Sequence, residues 1–319
     1  MSVPPPAPPR AAIVILNWNG WEDTLECLAS LRELDFPEFR VIVVDNGSDN
    51  DSTGRIEQWI LGQRGTVRID LIRSRENLGF SGGNNLGIRR ALDEGAEFVW
   101  LLNNDTTIDK DALAALVRVA LEDESIGAVG SLILYQRDPG TINSAGILIA
   151  PFALRARLLG LNEKRADPAF NVRRDVDAVS GCSILLRASA LRTIGSMEER
   201  YFLYFEEVDL ALRLKKSGYR CVFAPESVVF HKQWGSIQPY PELADYYLAR
   251  SQVLFIKKFA GKAHAAAAVV WFAAKYFPRV VIRSVRIRNF ACLRAFGLGL
   301  WHGLIGRFEY RWPVRGPAR

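Results

Sequence analysis

The sequence predicts an α/β fold with a mostly parallel central sheet flanked by helices. Three observations carry that reading. Apolar, β-branched runs at residues 11–16, 41–44, 67–72 and 99–102 alternate with stretches whose apolar residues recur at helical spacing. The runs at 11–16, 41–44 and 99–102 are continuously apolar, the pattern of strands covered on both faces, whereas 67–72 carries Arg68 and Asp70. The first, second and fourth run directly into Asn, Asp, Gly or Ser, and ligands in open α/β sheets sit at the carboxyl ends of the strands.

Taken in order, the run at 11–16 ends in Asn17-Trp-Asn-Gly20. Trp21, Leu25, Leu28, Leu31 and Leu34 then make an amphipathic helix, with Asp23 and Thr24 near its start and Pro37 beyond its end. Residues 41–44 form a second strand leading into the polar run 45–53, and Ile56, Trp59 and Ile60 mark the next helix. A short third strand covers 67–72. Residues 76–87, rich in Gly and Asn, read as a loop entering a helix. The fourth strand runs through 99–102 into Asn103, Asn104 and Asp105, and a helix spans 110–121. A further strand covers 128–135, and 137–174 is loop-rich with short apolar runs such as 147–149. Residues 176–186 hold Ser180-Gly-Cys-Ser183 ahead of an apolar run. The aromatic run 201–205 leads into a helix that Gly218 can stop, and strands at 219–224 and 228–231 close the unit.

Composition bounds the rest. The chain has 319 residues, 49% hydrophobic and 24% charged, enough for a sizeable core. Cys27, Cys182, Cys221 and Cys292 are widely spaced, which fits reduced thiols and neither a disulfide frame nor a zinc site. Residues 1–10 are Pro-rich without an apolar core and read as a disordered tail, not a secretory signal. Residues 240–319 hold fourteen Lys/Arg against three Asp/Glu, whereas the whole chain is only +6. That asymmetry predicts a boundary near Pro239, separating a catalytic unit at 11–239 from a basic helical region at 240–319.

Six motifs in this order resemble glycosyltransferase family 2, and most closely its rhamnosyltransferase-like subgroup. They are Ile15-Leu-Asn-Trp-Asn19, Val43-Val-Asp-Asn-Gly-Ser48, Asn77-Leu-Gly-Phe-Ser-Gly-Gly-Asn84, Leu101-Leu-Asn-Asn-Asp105, Phe205-Glu-Glu-Val-Asp-Leu210 and His231. The resemblance covers about residues 12–234. It implies a GT-A fold and inverting transfer from a nucleoside diphosphate sugar, dTDP-rhamnose first, with UDP-galactofuranose or a UDP-hexose as the alternative donor. The acceptor it implies is a glycan or a lipid-linked glycan in cell-surface polysaccharide synthesis.

Such a reaction must hold the nucleotide, neutralise the diphosphate and remove a proton from the acceptor. By resemblance, Asn17 and Asp45 hold the base or ribose, and Asn77, Gly79 and Asn84 line the donor. Glycines there let backbone approach a ligand closely. Asn103 and Asn104 join the donor set, and Asp105 is the expected Mg²⁺ or Mn²⁺ ligand, since these ions favour oxygen donors and substrate phosphates. The general motif at this point is D-x-D; its first position here is the neutral Asn103. His231 resembles a distal histidine that completes the metal site in some relatives. Glu207 aligns with the base that deprotonates the acceptor hydroxyl, where relatives more often carry Asp. Glu206, Gly181 and Trp234 are the expected acceptor-side residues, and Asp209 is expected to be a supporting or acceptor-binding acid.

The basic region adds a helix at 242–259. Residues 263–274 are uncharged, but twelve residues fall short of the about 20 that a membrane crossing needs, and Pro278 is expected to break the pattern. No transmembrane span is therefore expected. Arg279, Arg283 and Arg286 fall on one face beside Val281, Ile282 and Val285, which predicts peripheral contact with an anionic membrane at the cytoplasmic leaflet. A nicotinamide-dependent oxidoreductase is disfavoured because the first strand–helix turn lacks the glycine fingerprint. A nucleic-acid partner is not expected, because no recognised module is present and residues 1–239 are net acidic.

Overall fold

The computed structural model describes residues 10–63, 67–233 and 240–313. The expected disordered tail therefore lies outside the described residues except for Arg10, and Trp234 lies outside them entirely. Strands β1 (Ala11–Asn17), β2 (Phe39–Asp45), β3 (Arg68–Arg73) and β4 (Phe98–Asn103) alternate with helices α1 (Trp21–Leu31), α2 (Ser52–Gly62) and α3 (Gly79–Asp93). β5 (Thr106–Ile108), α4 (Ala112–Glu122) and β6 (Ile126–Tyr135) follow. The loop-rich stretch folds into β7 (Asp138–Ser144), β8 (Ile147–Ala150), β9 (Arg155–Leu158) and β10 (Arg174–Val176). Then come β11 (Ser183–Arg187), α5 (Ala188–Ile194), α6 (Glu206–Lys216) and β12 (Arg220–His231), and finally α7 (Pro241–Phe259), α8 (Lys262–Arg286) and α9 (Ala291–Ile305).

The main sheet runs β10-β12-β6-β11-β4-β1-β2-β3. β3, β2, β1 and β4 are mutually parallel, and β11 enters antiparallel between β4 and β6. Chain order therefore reverses between β2 and β4 on either side of β1, which opens a crevice at the carboxyl ends of β1 and β4. Period-two alternation divides the core. Ala12 and Val14 of β1 face α3, α6 and α7, whereas Ala11, Ile13 and Ile15 face α1, α2 and α4.

Three departures from the sequence reading have local causes. The Gly/Asn-rich segment is helical from Gly79 onward. A side chain at Gly83 or Gly87 would collide with Leu16 or Val14 of β1, so glycine lets α3 lie close on the sheet. The strands expected at 219–224 and 228–231 are one strand, β12, with a register shift across Ala224 and Val228. α8 does not stop at Pro278 and runs for 25 residues. Pro278 and Ala274, whose carbonyl loses its helical partner, are both exposed, so that carbonyl stays solvated. By length and composition α8 could cross a membrane, with mean hydropathy 1.4 over its best window, which corrects the twelve-residue limit set by the sequence.

The charge change near Pro239 is not matched by a break in packing. Ala249, Leu254, Phe255 and Ile256 of α7 belong to the same core as β1 and α3. Phe255 lies 5.3 Å from Phe205 between ring centres, and Tyr247 stacks on Phe202 at 4.5 Å. Ser251 Oγ donates to Leu203 O at 2.8 Å. α7 thus buttresses the 201–205 segment that delivers α6. All four cysteines are free and buried.

Candidate active site

β1 and β2 end level with one another, Asn17 opposite Asp45, and Asn103 of β4 is level with Leu16. The sheet itself places these three polar side chains at one edge. Asn17 Nδ2 donates to Asp45 Oδ1 at 2.7 Å, Ser48 Oγ donates to the same oxygen at 2.6 Å, and Thr53 Oγ1 donates to Oδ2 at 2.7 Å. Thr24 Oγ1 in turn donates to Asn17 Oδ1 at 2.9 Å. Asp45 is buried and fixed in orientation, and a carboxylate has about four lone-pair sites, so capacity for one more donor remains.

The Asn77 motif is organised by Asn46. Asn46 Nδ2 donates to Asn77 Oδ1 and to Gly79 O, each at 3.0 Å, and Asn46 Oδ1 accepts from Leu78 N at 3.0 Å. Gly79 sits at φ +74°, where a Cβ would strike Phe202 O at 2.3 Å. Only glycine fits there. Asn84 is buried and its amide turns back to Phe80 O at 2.9 Å. Asn104 Nδ2 donates to Gly20 O at 3.1 Å and to Thr24 Oγ1 at 3.0 Å, tying the β4 turn to the start of α1.

Asp105 and His231 are 126 residues apart and meet because the chain turns back after Asp105 to form β5. β5 pairs antiparallel with the end of β12, His231 opposite Thr106. His231 Nε2 lies 3.1 Å from Asp105 Oδ1, and Lys232 N donates to Asp105 O at 2.9 Å. Burial works against protonating His231, but the Cys182 sulfur and the Asp105 carboxylate outweigh it and raise its pKa to about 11. At 3.1 Å the two groups form a hydrogen-bonded pair, and a divalent cation would bind there by displacing the proton from His231, leaving two ligands about 3 Å apart as octahedral geometry at about 2.1 Å requires. Among the described residues no group of three or more ligating side chains converges, so an ion held here would draw its other ligands from substrate and water.

Glu206 and Glu207 open α6 after two residues of left-handed backbone, Tyr204 at φ +67° and Phe205 at φ +72°. Such backbone is strained for residues with side chains and needs support, which α7 gives. Glu206 is buried, and burial together with the Glu207 charge raises its pKa well above the carboxylate range. Burial raises Glu207 to about 7, against the backbone N–H groups of Glu207 and Val208, which favour the charged form. The two titrate as a pair. Each has one buried oxygen, Oε2, without a hydrogen-bond partner in the protein. A Cβ placed on Gly181 would stand 3.9 Å from Glu207 Cβ and 3.6 Å from the Phe80 ring, so Gly181 keeps a gap beside the base. The next residue's carbonyl, Cys182 O, accepts from Asn103 N at 3.0 Å, linking that gap to the end of β4.

Of the two roles expected of Asp209, supporting and acceptor-binding, its surroundings fit the first. It is fully buried; Oδ1 accepts from Arg213 Nε at 2.7 Å, and Lys258 Nζ of α7 stands 2.6 Å from Oδ2. It locks α6 to α7. Sequence reasoning missed Asn46, Thr24, Phe80 and the support from α7. Asn46 and Phe80 lay inside recognised motifs, whereas nothing local signalled Thr24 or α7.

Residues 12–194 match the family described as Glycosyl transferase family 2, more than half of the chain. A "Low-salt glycan biosynthesis hexosyltransferase Agl10" of Haloferax volcanii is 29% identical over 65% of this chain and 62% of its own length. The chain thus spans less than two thirds of that relative. An "N-acetylglucosaminyl-diphospho-decaprenol L-rhamnosyltransferase" of Mycobacterium tuberculosis is 29% identical over 69% of this chain and 75% of its own. Galactofuranosyltransferase GlfT1 of the same species is 30% identical over 56% and 55%. Among solved structures, the mannosyltransferase PcManGT of Pyrobaculum calidifontis, in complex with GDP-Man and Mn²⁺, superposes with TM-score 0.60 at 16% identity, covering 94% of this chain and 88% of that one. Fold, motif order and family match agree: the chain belongs to glycosyltransferase family 2 and has the GT-A fold.

Proposed function

We propose that this protein is a metal-dependent inverting glycosyltransferase that moves L-rhamnose from dTDP-rhamnose to a glycan or lipid-linked acceptor in cell-surface polysaccharide synthesis. The reading is supported by two pairs of residues: Asp105 with His231 beyond the end of β4, and a half-buried Glu207, poised near neutral pH, beside Gly181, whose neighbour Cys182 bonds to Asn103.

In this reading Asn17 and Asp45 hold the base or ribose from the end of β1 and β2. Asn103 faces the donor from β4. Asn77, Gly79, Asn84 and Asn104, bonded into the protein's own backbone, shape the donor cleft. Asp105 and His231 would hold Mg²⁺ or Mn²⁺, which when bound stabilises negative charge on the departing diphosphate. The manganese named in solved structures of the same fold supports that part.

Glu207 takes the proton of the acceptor hydroxyl, a role worth about 10²–10⁴-fold in rate, and a base poised near pH 7 suits it. Glu206, held protonated by burial, donates a hydrogen bond to the acceptor. Cys182 is buried and serves packing, and a single displacement needs no covalent nucleophile. The acceptor is met at the cytoplasmic leaflet of a membrane.

A second donor reading, UDP-galactofuranose or a UDP-hexose, is supported by relatives of similar identity whose names give hexosyl or galactofuranosyl transfer. Thermal-shift titration with dTDP-rhamnose, UDP-galactofuranose and UDP-hexoses, with and without Mn²⁺, separates the two, because a bound donor stabilises the fold by mass action. The first reading expects the largest metal-dependent shift with dTDP-rhamnose. A larger shift with a UDP-sugar selects the second, and no metal-dependent shift with any of them removes both.

A further inference from the structure

The outer face of α8 and α9 is apolar, exposed and edged by unpaired cations. α9 is seated on α7 at Gly299 and Gly303, where a Cβ would meet Tyr246 O at 2.3 Å and Val253 Cβ at 2.7 Å. α8 lies outside α9. It is fastened along its length by buried Ala268, Phe272, Val280 and Ser284, and by an ion pair from Arg283 to Asp245 of α7. Phe272 packs 5.9 Å from Phe296 of α9. The opposite side is open. Val270, Ala274, Phe277, Val281 and Val285 recur every three or four residues and form one stripe. Phe277 is 53% exposed, Ile282 67% and, on α9, Trp301 57%.

Between the two helices runs a groove of about 370 Å³ lined by apolar atoms of Ala273, Ala274, Phe277, Leu293, Gly297 and Leu300. Exposed Trp271 and Ile282 widen the stripe on one side, and Lys275, Arg279 and Arg286 lie beyond them round α8, with Arg288 and Arg294 in the turn and on α9, all exposed. Among the described residues no carboxylate lies within ion-pair distance of these five. From Lys262 to Pro313 the chain carries nine Lys/Arg and a single acid, Glu309.

We propose that this face docks flat on one leaflet of an anionic phospholipid membrane, and that the α8–α9 groove receives one hydrocarbon chain of that leaflet. Charge selects the occupant. A second copy of the chain would bring the same five cations against their equivalents, whereas anionic headgroups complement them. The fastening of α8 along α7 and α9 selects the orientation. A crossing helix would have to leave those contacts, while an interfacial helix keeps them and immerses its stripe. The inference builds on the membrane contact proposed above, and its test involves no sugar transfer, so it can fail while the transferase reading stands.

The test is flotation of the full chain with vesicles of pure phosphatidylcholine or of phosphatidylcholine with 30% phosphatidylglycerol, followed by carbonate extraction. The expected result is at least tenfold stronger partitioning to the anionic vesicles, lost in high salt and released by carbonate. Equal flotation on both vesicle types, or resistance to carbonate, would overturn the flat, charge-selected docking; this holds whatever the variants do. Lys275→Glu/Arg279→Glu/Arg286→Glu and Trp271→Glu/Phe277→Glu should each reduce partitioning at least tenfold with unchanged thermal unfolding.

Gly297 lines the groove and has open space where a Cβ would stand, so Gly297→Phe brings a ring to the groove. This variant should bind vesicles but lose the fluorescence gain that cis-parinaric acid shows with the wild type; an unchanged gain would overturn the chain site. A mass doubling in solution that Phe277→Glu abolishes would assign the face to a second copy and overturn the membrane proposal.

Discussion

Replacing Glu207 by Gln should make the protein more stable and nearly inactive, with a pH dependence that identifies the cause. The carboxyl is raised from 4.5 to about 7 in the folded protein, first by burial. The folded state therefore binds more protons than the unfolded chain between those values, and stability falls as pH rises through that window. The penalty is absent well below pH 4.5 and complete above about 7. At about 1.4 kcal/mol per pKa unit it reaches about 3 kcal/mol. Glu206 shares the same buried space, so the single variant recovers about 1–3 kcal/mol at pH 8. At roughly 2–3 °C per kcal/mol for a chain of this size, Tm should rise by about 2–9 °C at pH 8. At pH 4.5 the gain should shrink to less than about 0.5 kcal/mol. Transfer should fall by about 10²–10⁴ while donor binding is kept. Paired thermal unfolding at pH 8 and pH 4.5 with a turnover assay reads all three. An equal Tm shift at both pH values would refute the ionisation argument, and turnover within tenfold of wild type would remove Glu207 from the base role.

Three further outcomes are expected. Asp105→Ala and His231→Gln should each abolish the extra thermal shift that Mn²⁺ gives a nucleotide sugar while leaving the metal-free Tm within a few degrees; a retained metal-dependent shift would count against the pair as ligands. Gly181→Ala adds a methyl at ordinary contact distance from Phe80 and Glu207, so steady-state kinetics should show a higher KM for acceptor with donor KM unchanged, and the reverse pattern would place Gly181 on the donor side. Asp209→Asn leaves Arg213 and Lys258 without their buried carboxylate and should cost about 3–5 kcal/mol in denaturant unfolding; a cost under about 1 kcal/mol, with transfer lost, would return Asp209 to the acceptor site.

The parallel half of the fold was legible because β1, β2 and β4 hold uninterrupted apolar runs, such as residues 41–44, and its helices carry a clear stripe, as α1 does. Register then follows from backbone pairing, which sets Asn17 level with Asp45 and Asn103 one residue back, level with Leu16. The start of α3 was misread because glycine's low helix propensity hides a packing requirement, the close approach of Gly83 and Gly87 to β1. α7 was assigned to a separate basic region because net charge was summed over exposed and buried residues alike. Arg250 shows what such a sum conceals. It is fully buried, donates to Phe308 O, Tyr310 O and Arg200 O, and faces the Tyr247 ring at 4.7 Å, so it binds the fold together and presents no charge to a partner. The buttress that α7 provides to Tyr204–Phe205 is long-range, and local sequence pattern carries no trace of it.

The stereochemistry of the product tests the central claim most directly. With the donor selected by thermal shift, Mn²⁺ and an acceptor glycan, NMR of the new glycosidic linkage should show the anomeric configuration inverted relative to the donor, and Glu207→Gln should give no product. Retention of configuration, or inverted product at wild-type rate from the variant, would contradict a single displacement driven by Glu207.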